Sequence, residues 1–435
     1  MSSSLDNSLQ QYLASRVRAG LGTVSLDEVL PSSAGDFFSN DYLSLTTDTV
    51  LREHFLRQAF AAPRLLGSSG SRISTGNSSE HNALEQRLQR FFGFPSALLF
   101  PSAFIANAAF FSTVPRKDDV IIYDELTHAS CREGIRASAA RGATYRFAHN
   151  SLASLEDCIR NVLHKHPQIT QGNSTVFVSL ESLYSMEGDF CPLVEMVHVI
   201  ENLIPAGHAH IVVDEAHTSA ICGPNGSGYI PLLRLNDRIH TIVHAFGKGW
   251  GFRGGVVLSS PKVREYLIHS VGPIIYSTSL PYTDIIGIQS CLDIISGERG
   301  EELQQHLNVL CRHAHKKLLS ALKRIPDSIL SVENLSSNTV VTHDLGLCSP
   351  IILMYTPLAN SLADCLKLKG YNATATIYPI VKRPRVRMSI HVSNKEEDID
   401  SFVNVIVEWA TKQVQGGVLP VVPSGSIYVA TKARI

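Results

Sequence analysis

Six short apolar runs constrain the fold of this chain more than any other feature. They are Ala97-Leu98-Leu99-Phe100, Val120-Ile121-Ile122-Tyr123, Val176-Phe177-Val178-Ser179-Leu180, Ile211-Val212-Val213, Ile242-Val243 and Val256-Val257-Leu258. Helical stretches from about Ala103, Ala129 and Pro192 lie between them. Buried strands alternating with helices predict an α/β fold around a mostly parallel sheet. In such sheets the polar residues just past the strand ends form the site. From Tyr282 the pattern changes. Helical spacing, with Leu303, His306, Leu307 and Leu310 on one face, continues to about Lys323, and shorter strands and helices follow up to Thr411. This predicts a second, smaller α+β domain. The expected division is an N-terminal arm over 1–50, a large domain over 51–285, a small domain over 286–415 and an irregular tail over 416–435.

Lys+Arg 38 against Asp+Glu 39 gives a net charge of -1, so no global electrostatic footprint for nucleic acid or an anionic membrane exists. No apolar run approaches the roughly 18 residues of a membrane-crossing helix. Residues 1–20 lack the apolar core of a secretory signal, and Arg16 and Arg18 beside Asp6 make a weak transit peptide. The 8 cysteines, spread from Cys131 to Cys365, include no C-x-x-C pair. That pattern fits a reducing compartment rather than a disulfide framework or zinc knuckle, and buried free thiols are its plain reading.

Four polar clusters sit at the predicted strand ends. In Asp214-Glu215-Ala216-His217 a carboxylate at a buried strand end can hold a protonated ring nitrogen; an ordinary helix cap is the competing reading. Lys248, in Gly247-Lys248-Gly249-Trp250-Gly251, sits in a glycine-rich turn where desolvation can make it a Schiff-base nucleophile. Taken alone it reads as a solvated loop lysine. Pro101-Ser102-Ala103-Phe104 leads from strand into helix, a seat for phosphate or a plain serine cap. His128, in Thr127-His128-Ala129-Ser130, can stack on a planar cofactor, although a lone histidine is more often a core or cap residue. A metal reading competes through His208, His210, Asp214 and His217, but no H-E-x-x-H is present, and no metal is expected.

In order along the chain, these clusters and their neighbours resemble the α-oxoamine synthase family of pyridoxal-phosphate enzymes, of fold type I. Phe38-Ser39-Asn40-Asp41-Tyr42-Leu43 is similar to its N-D-Y-L-G-L entry, with Ser44 in place of Gly. Gly67 to Gly76, with Asn77 and His81, resembles its G-S-x-G-S-R-x-x-x-G-N…H stretch. Ser185-Met186-Glu187-Gly188-Asp189 resembles S-M-D-G-D, Asp214-Glu215-Ala216-His217 resembles D-[DE]-A-H, Gly223 to Gly226 resembles the following G-x-x-G, and Tyr276-Ser277-Thr278-Ser279-Leu280-Pro281 resembles F-S-T-x-L-P. The resemblance covers about Phe37 to Ser393.

The resemblance implies roles. Lys248 would carry pyridoxal 5'-phosphate as a Schiff base, and Asp214 would hold the proton of the ring nitrogen. His217 would hydrogen-bond the cofactor's phenolic oxygen, helped by Ser185, and His128 would stack on the ring. The backbone at Ser102, Ala103 and Phe104 would seat the phosphate. Ser277 and Thr278 would reach the phosphate in a neighbouring subunit, which implies a homodimer. Arg387 would hold the amino-acid carboxylate, with Asn40 facing the same substrate. The implied reaction joins an amino acid to an acyl-CoA and releases CoA and CO2. The compact chain and its F-S-N-D-Y-L segment look most like the oxononanoate synthases of biotin biosynthesis, which take L-alanine and pimeloyl-CoA. Relatives with another amino acid or acyl-CoA stay open: secondary-metabolic, glycine C-acetyltransferase-like or serine palmitoyltransferase-like enzymes. So does a non-catalytic partner subunit, against which Lys248, Asp214 and His217 together argue.

The sequence departs from the family at two places. Ala245 stands where the family often has a phosphate-binding Thr, so one phosphate contact is expected to be missing. Trp250 is bulkier than the family pattern. The end, Ala433-Arg434-Ile435, is similar to the S-K-L peroxisomal signal, which leaves a cytoplasmic or a peroxisomal location.

Overall fold

The computed structural model describes residues 3–18, 35–332, 341–342, 346–377 and 381–416. Its central sheet has seven strands: β1 (Ser96–Phe100), β2 (Val120–Asp124), β3 (Thr144–Phe147), β4 (Val176–Glu181), β5 (Ala209–Asp214), β6 (Thr241–Ala245) and β7 (Gly255–Ser259), in the order β1-β7-β6-β5-β4-β2-β3. Six strands share one direction. Only β7 is antiparallel to its neighbours β1 and β6. The apolar runs are continuous because both faces are covered. Along β4, Val176, Val178 and Leu180 enter one core and Phe177 the other, the period-2 alternation of a strand. The expected strands are therefore present, and β3 is an addition. It is an edge strand with an exposed Arg146, so it lacks the uniformly apolar signature of the rest.

The long helical stretch after Tyr282 is two helices, Tyr282–Ile295 and Glu298–Leu322. They turn at Ser296-Gly297, where Gly300 lies so close to Ile295 that an added Cβ would stand 2.0 Å from its carbonyl oxygen. The expected 285/286 boundary falls inside the first of these helices. Beyond them, β8 (Ser331–Val332), β9 (Ile351–Tyr355), β10 (Ala375–Thr376) and β11 (Arg385–Ser389) form an antiparallel sheet in the order β8-β9-β11-β10. The C-terminal tripeptide lies outside the described residues.

The segment from Asp36 to Leu45 spans the space between the two sheets. The Ser389 N–H donates to Phe37 O (2.8 Å) and the Val392 N–H to Tyr42 O (2.9 Å). Phe37 packs against Phe402, with ring centroids 4.6 Å apart. Asp41 ties the turn by accepting from the N–H groups of Leu45 and Thr46. Ser44, which replaces the family's Gly, has a left-handed φ of 52°. That conformation favours glycine. The serine side chain offsets part of the strain, because its Oγ accepts from the Ser393 N–H (3.0 Å).

Candidate active site

The carboxyl ends of β4, β5 and β6 and the start of the Ala103–Thr113 helix enclose a cavity of about 480 Å³. Strand register sets its floor. Glu181 and Asp214 are Cα partners at the ends of β4 and β5. Both carboxylates are buried. Asp214 accepts from Asn107 Nδ2 through Oδ2 (2.6 Å) and from the Ala216 N–H through Oδ1 (2.8 Å). Glu181 accepts from the His128 N–H (2.5 Å). Burial, with the Asp214 charge beside it, pushes the Glu181 carboxyl well above its ordinary range.

Lys248 follows β6 and turns back into the cavity. Its Nζ lies 2.8 Å from His217 Nε2. Burial lowers the lysine below its ordinary value, while Asp214 and Glu181 pull it up and Arg387 pushes it down. Burial also holds His217 well below its ordinary value, helped by the charges of Lys248 and Arg387. A neutral imidazole therefore faces the amine. On its other side, His217 Nδ1 lies 2.8 Å from Tyr42 Oη.

Arg387, in β11, reaches the same place from the second sheet. Its Nη2 donates to Asn40 Oδ1 (2.7 Å) and to Tyr42 Oη (3.3 Å). Its Nε is buried without a partner, a donor left for a ligand. The phosphate-seat region is also formed. Ser102 caps the Ala103–Thr113 helix by accepting from the Ile105 N–H (3.2 Å), and the first N–H groups of a helix have no partner within it. Across that seat, His128 caps the Ala129–Ala137 helix and stands edge-on to Phe104, with centroids 6.2 Å apart.

A family model described as aminotransferase class I and II matches residues 36–406. An 8-amino-7-oxononanoate synthase of Emericella nidulans is 36% identical over 385 residues, covering 88% of this chain and 90% of that protein. The chain belongs to the α-oxoamine synthase family. An aminoacyl transferase sphA of Aspergillus fumigatus is 32% identical over 390 residues, 87% of this chain and 81% of its own length. Among solved structures, the fold is shared with a serine palmitoyltransferase of Sphingomonas wittichii: TM-score 0.76, 22% identity, covering 96% of this chain and 99% of that one. As a member of the α-oxoamine synthases, the chain is a pyridoxal-phosphate-dependent acyltransferase acting on an amino acid and an acyl-CoA. Among the described residues, no helix is long and apolar enough to cross a membrane.

The residues present fit the family's cofactor. A buried carboxylate (Asp214), a desolvated amine (Lys248) and a helix start line one cavity, and they match the ring nitrogen, aldehyde and phosphate of pyridoxal phosphate. Asn40, Ser102, Ala103, Phe104, His128 and His217 line it too. Ser185 lies just past Tyr184, outside that lining, and it is Tyr42 that holds His217. Ser277 and Thr278 are exposed and outside the cavity. Trp250 does not intrude. It is fully buried behind the lysine turn, packs on Phe246 (4.6 Å) and donates to Ser219 Oγ (2.7 Å). Ala245 does line the cavity, with a methyl group in place of the family's hydroxyl. The competing metal ligands do not converge. His210 is bonded to Thr241 Oγ1 (2.8 Å) and His208 to Ser174 O (3.3 Å). Sequence reasoning missed the roles of Tyr42, Asn107 and Glu181. Tyr42 stands inside the family's N-D-Y-L entry, Asn107 lies one turn into the helix after the phosphate seat, and Glu181 carries no signal beyond ending a strand.

Proposed function

We propose that this enzyme condenses L-alanine with pimeloyl-CoA to give 8-amino-7-oxononanoate, CoA and CO2, a step of biotin biosynthesis. The observation that carries the reading is the meeting of Lys248, His217 and Asp214 at one cavity, with Arg387 joined to its rim through Asn40, in a chain whose first-named relative is an 8-amino-7-oxononanoate synthase. The cofactor, when bound, supplies an electron sink for the bond-making carbon. The chain's residues do the rest. Asp214 keeps the proton on the ring nitrogen, held in place by Asn107. Arg387 pairs with the amino-acid carboxylate through the face now bonded to Asn40. Lys248, desolvated and facing a neutral imidazole, takes the proton from the amino acid's Cα. His128 covers the ring, and the N–H groups at Ala103 and Phe104 hold the phosphate. In a homodimer, Ser277 and Thr278 reach the neighbouring subunit's phosphate, and Ser185 supports the phenolic oxygen beside His217.

A second reading is favoured by the 32% identity to an aminoacyl transferase: the same chemistry on another amino acid or acyl-CoA. CoA release by the cofactor-loaded protein separates the two. L-alanine with pimeloyl-CoA is offered beside glycine or serine with acetyl-, succinyl- and palmitoyl-CoA. Release confined to the first pair is the expected result. Release with another pair moves the assignment to the second reading. No release with any pair, from protein that shows the cofactor's visible band, sinks both.

A further inference from the structure

Tyr42 is fully buried, and its phenol oxygen touches three groups of the site. It lies 2.8 Å from His217 Nδ1, 3.2 Å from Asn40 Oδ1 and 3.3 Å from Arg387 Nη2. Arg387 is donor-only, so toward it the phenol oxygen accepts. The phenol keeps its own proton, since burial pushes Tyr42 up to about 12. That single proton has two places to go, Asn40 Oδ1 or His217 Nδ1.

The choice fixes what His217 shows to the cavity. A neutral imidazole carries one N–H. Opposite the Lys248 ammonium, which only donates, Nε2 must accept. Nδ1 then carries the hydrogen and donates to Tyr42 Oη, and the phenol donates to Asn40. Opposite an oxyanion such as the cofactor's phenolic oxygen, Nε2 must donate. Nδ1 then accepts, and the phenol turns its hydrogen from Asn40 to Nδ1. Each arrangement leaves one proton on the ring and one on the phenol. The difference between them is one proton exchanged with solvent at each ring nitrogen and one hydroxyl rotation.

We infer that Tyr42 is a positioning residue that lets His217 present a lone pair to free Lys248 and an N–H to the bound cofactor, and that it links this choice to Arg387 at the amino-acid carboxylate. The link to cofactor and carboxylate rests on the function proposed above. The link to Lys248 does not.

The test uses the full chain with 15N-labelled histidine, and His217→Asn identifies the His217 signals among the 18 histidines. In wild-type protein, long-range 15N–1H correlation should show the Nδ1–H form without cofactor and the Nε2–H form after loading with pyridoxal phosphate. Tyr42→Phe removes the acceptor for Nδ1–H. An orphaned buried N–H is costlier than an orphaned lone pair, so Lys248 should give a proton to solvent and accept from Nε2–H as a neutral amine, leaving His217 Nε2–H in both states. Free Lys248 is then held as the neutral amine, although Asp214 still faces it. Its labelling by a small amine reagent at neutral pH, read by peptide mass spectrometry, should rise about tenfold, the effect of losing one charge-assisted hydrogen bond. Other lysines should label as before. If Tyr42→Phe fails to fold, Asn40→Ala serves instead: without the amide oxygen the phenol turns to Nδ1, Lys248 accepts from Nε2–H as a neutral amine, and the free protein shows Nε2–H. Wild-type protein that is Nε2–H without cofactor overturns the inference, as does a Tyr42→Phe variant that keeps both forms. If the free-protein results hold but cofactor leaves the His217 signals unmoved, the functional reading fails and the Tyr42–His217–Lys248 arrangement stands.

Discussion

Ala245 is a cavity-lining methyl at the end of β6, beside the cofactor's proposed phosphate seat. Ala245→Thr should restore one hydroxyl donor and tighten cofactor binding by up to about tenfold, since one hydrogen bond is worth about 1 kcal/mol and more to a charged group. Equilibrium dialysis against pyridoxal phosphate checks this, and unchanged retention would remove the phosphate from that position. Lys248, His217 and Asp214 were legible as an ordered set, since each alone reads as a loop or cap residue, and Arg387 entered only through the family resemblance. Tyr42 was visible only as a motif letter. Its function depends on which atoms surround its hydroxyl, and those come from residues 40, 217 and 387. No linear pattern encodes that meeting.

Between elements, the contacts that aim the site are both steric and electrostatic. Gly255 in β7 passes so close to the start of the Ala103–Thr113 helix that an added Cβ would lie 2.5 Å from the Ala103 nitrogen. Gly255→Ala should therefore displace the phosphate seat, costing about 1–3 kcal/mol and weakening cofactor binding; calorimetry of loaded and free protein separates the two effects. His149 joins the end of β2 to the hairpin of Leu183–Tyr184 and Asp189–Phe190, with Nδ1 2.9 Å from Asp124 and Nε2 3.0 Å from Asp189. Burial alone would lower this imidazole, but its hydrogen bonds with Asp124 and Asp189 outweigh burial and raise it to about 10. Because the folded value lies above the ordinary 6.5, the stabilisation is complete below about pH 6.5 and is lost as pH rises toward 10. His149→Gln should cost about 3 kcal/mol at neutral pH and flatten the decline of Tm across that window. The strand-helix alternation was readable because uniformly apolar runs mark buried strands. The reversed direction of β7 was not, since burial on both faces looks the same in either direction, and β3 escaped because an edge strand need not be apolar.

At the scale of the whole molecule, several large apolar side chains stand in solvent on a single chain, among them Phe60 at 96% and Tyr276 at 86% exposure. The proposed homodimer would cover such groups. Sedimentation should show twice the chain mass, and Tyr276→Asp, beside Ser277 and Thr278, should shift the protein toward monomer and loosen the cofactor together. A persistent monomer with full cofactor affinity would refute the assignment of Ser277 and Thr278 to a neighbouring site. The proposed peroxisomal address predicts that a tagged protein lacking Ala433-Arg434-Ile435 spreads into the cytoplasm; identical localisation of both forms removes it. The placement of the 2 tryptophans has an optical consequence. Trp250 is sealed beneath the lysine turn, while Trp409 lies in the Glu396–Gln415 helix, where its indole donates to Ser361. Pyridoxal phosphate absorbs in the range where indole emits. Energy transfer from Trp250 should dim its fluorescence as the cofactor arrives, and comparing Trp250→Phe with Trp409→Phe would reveal which lamp goes out.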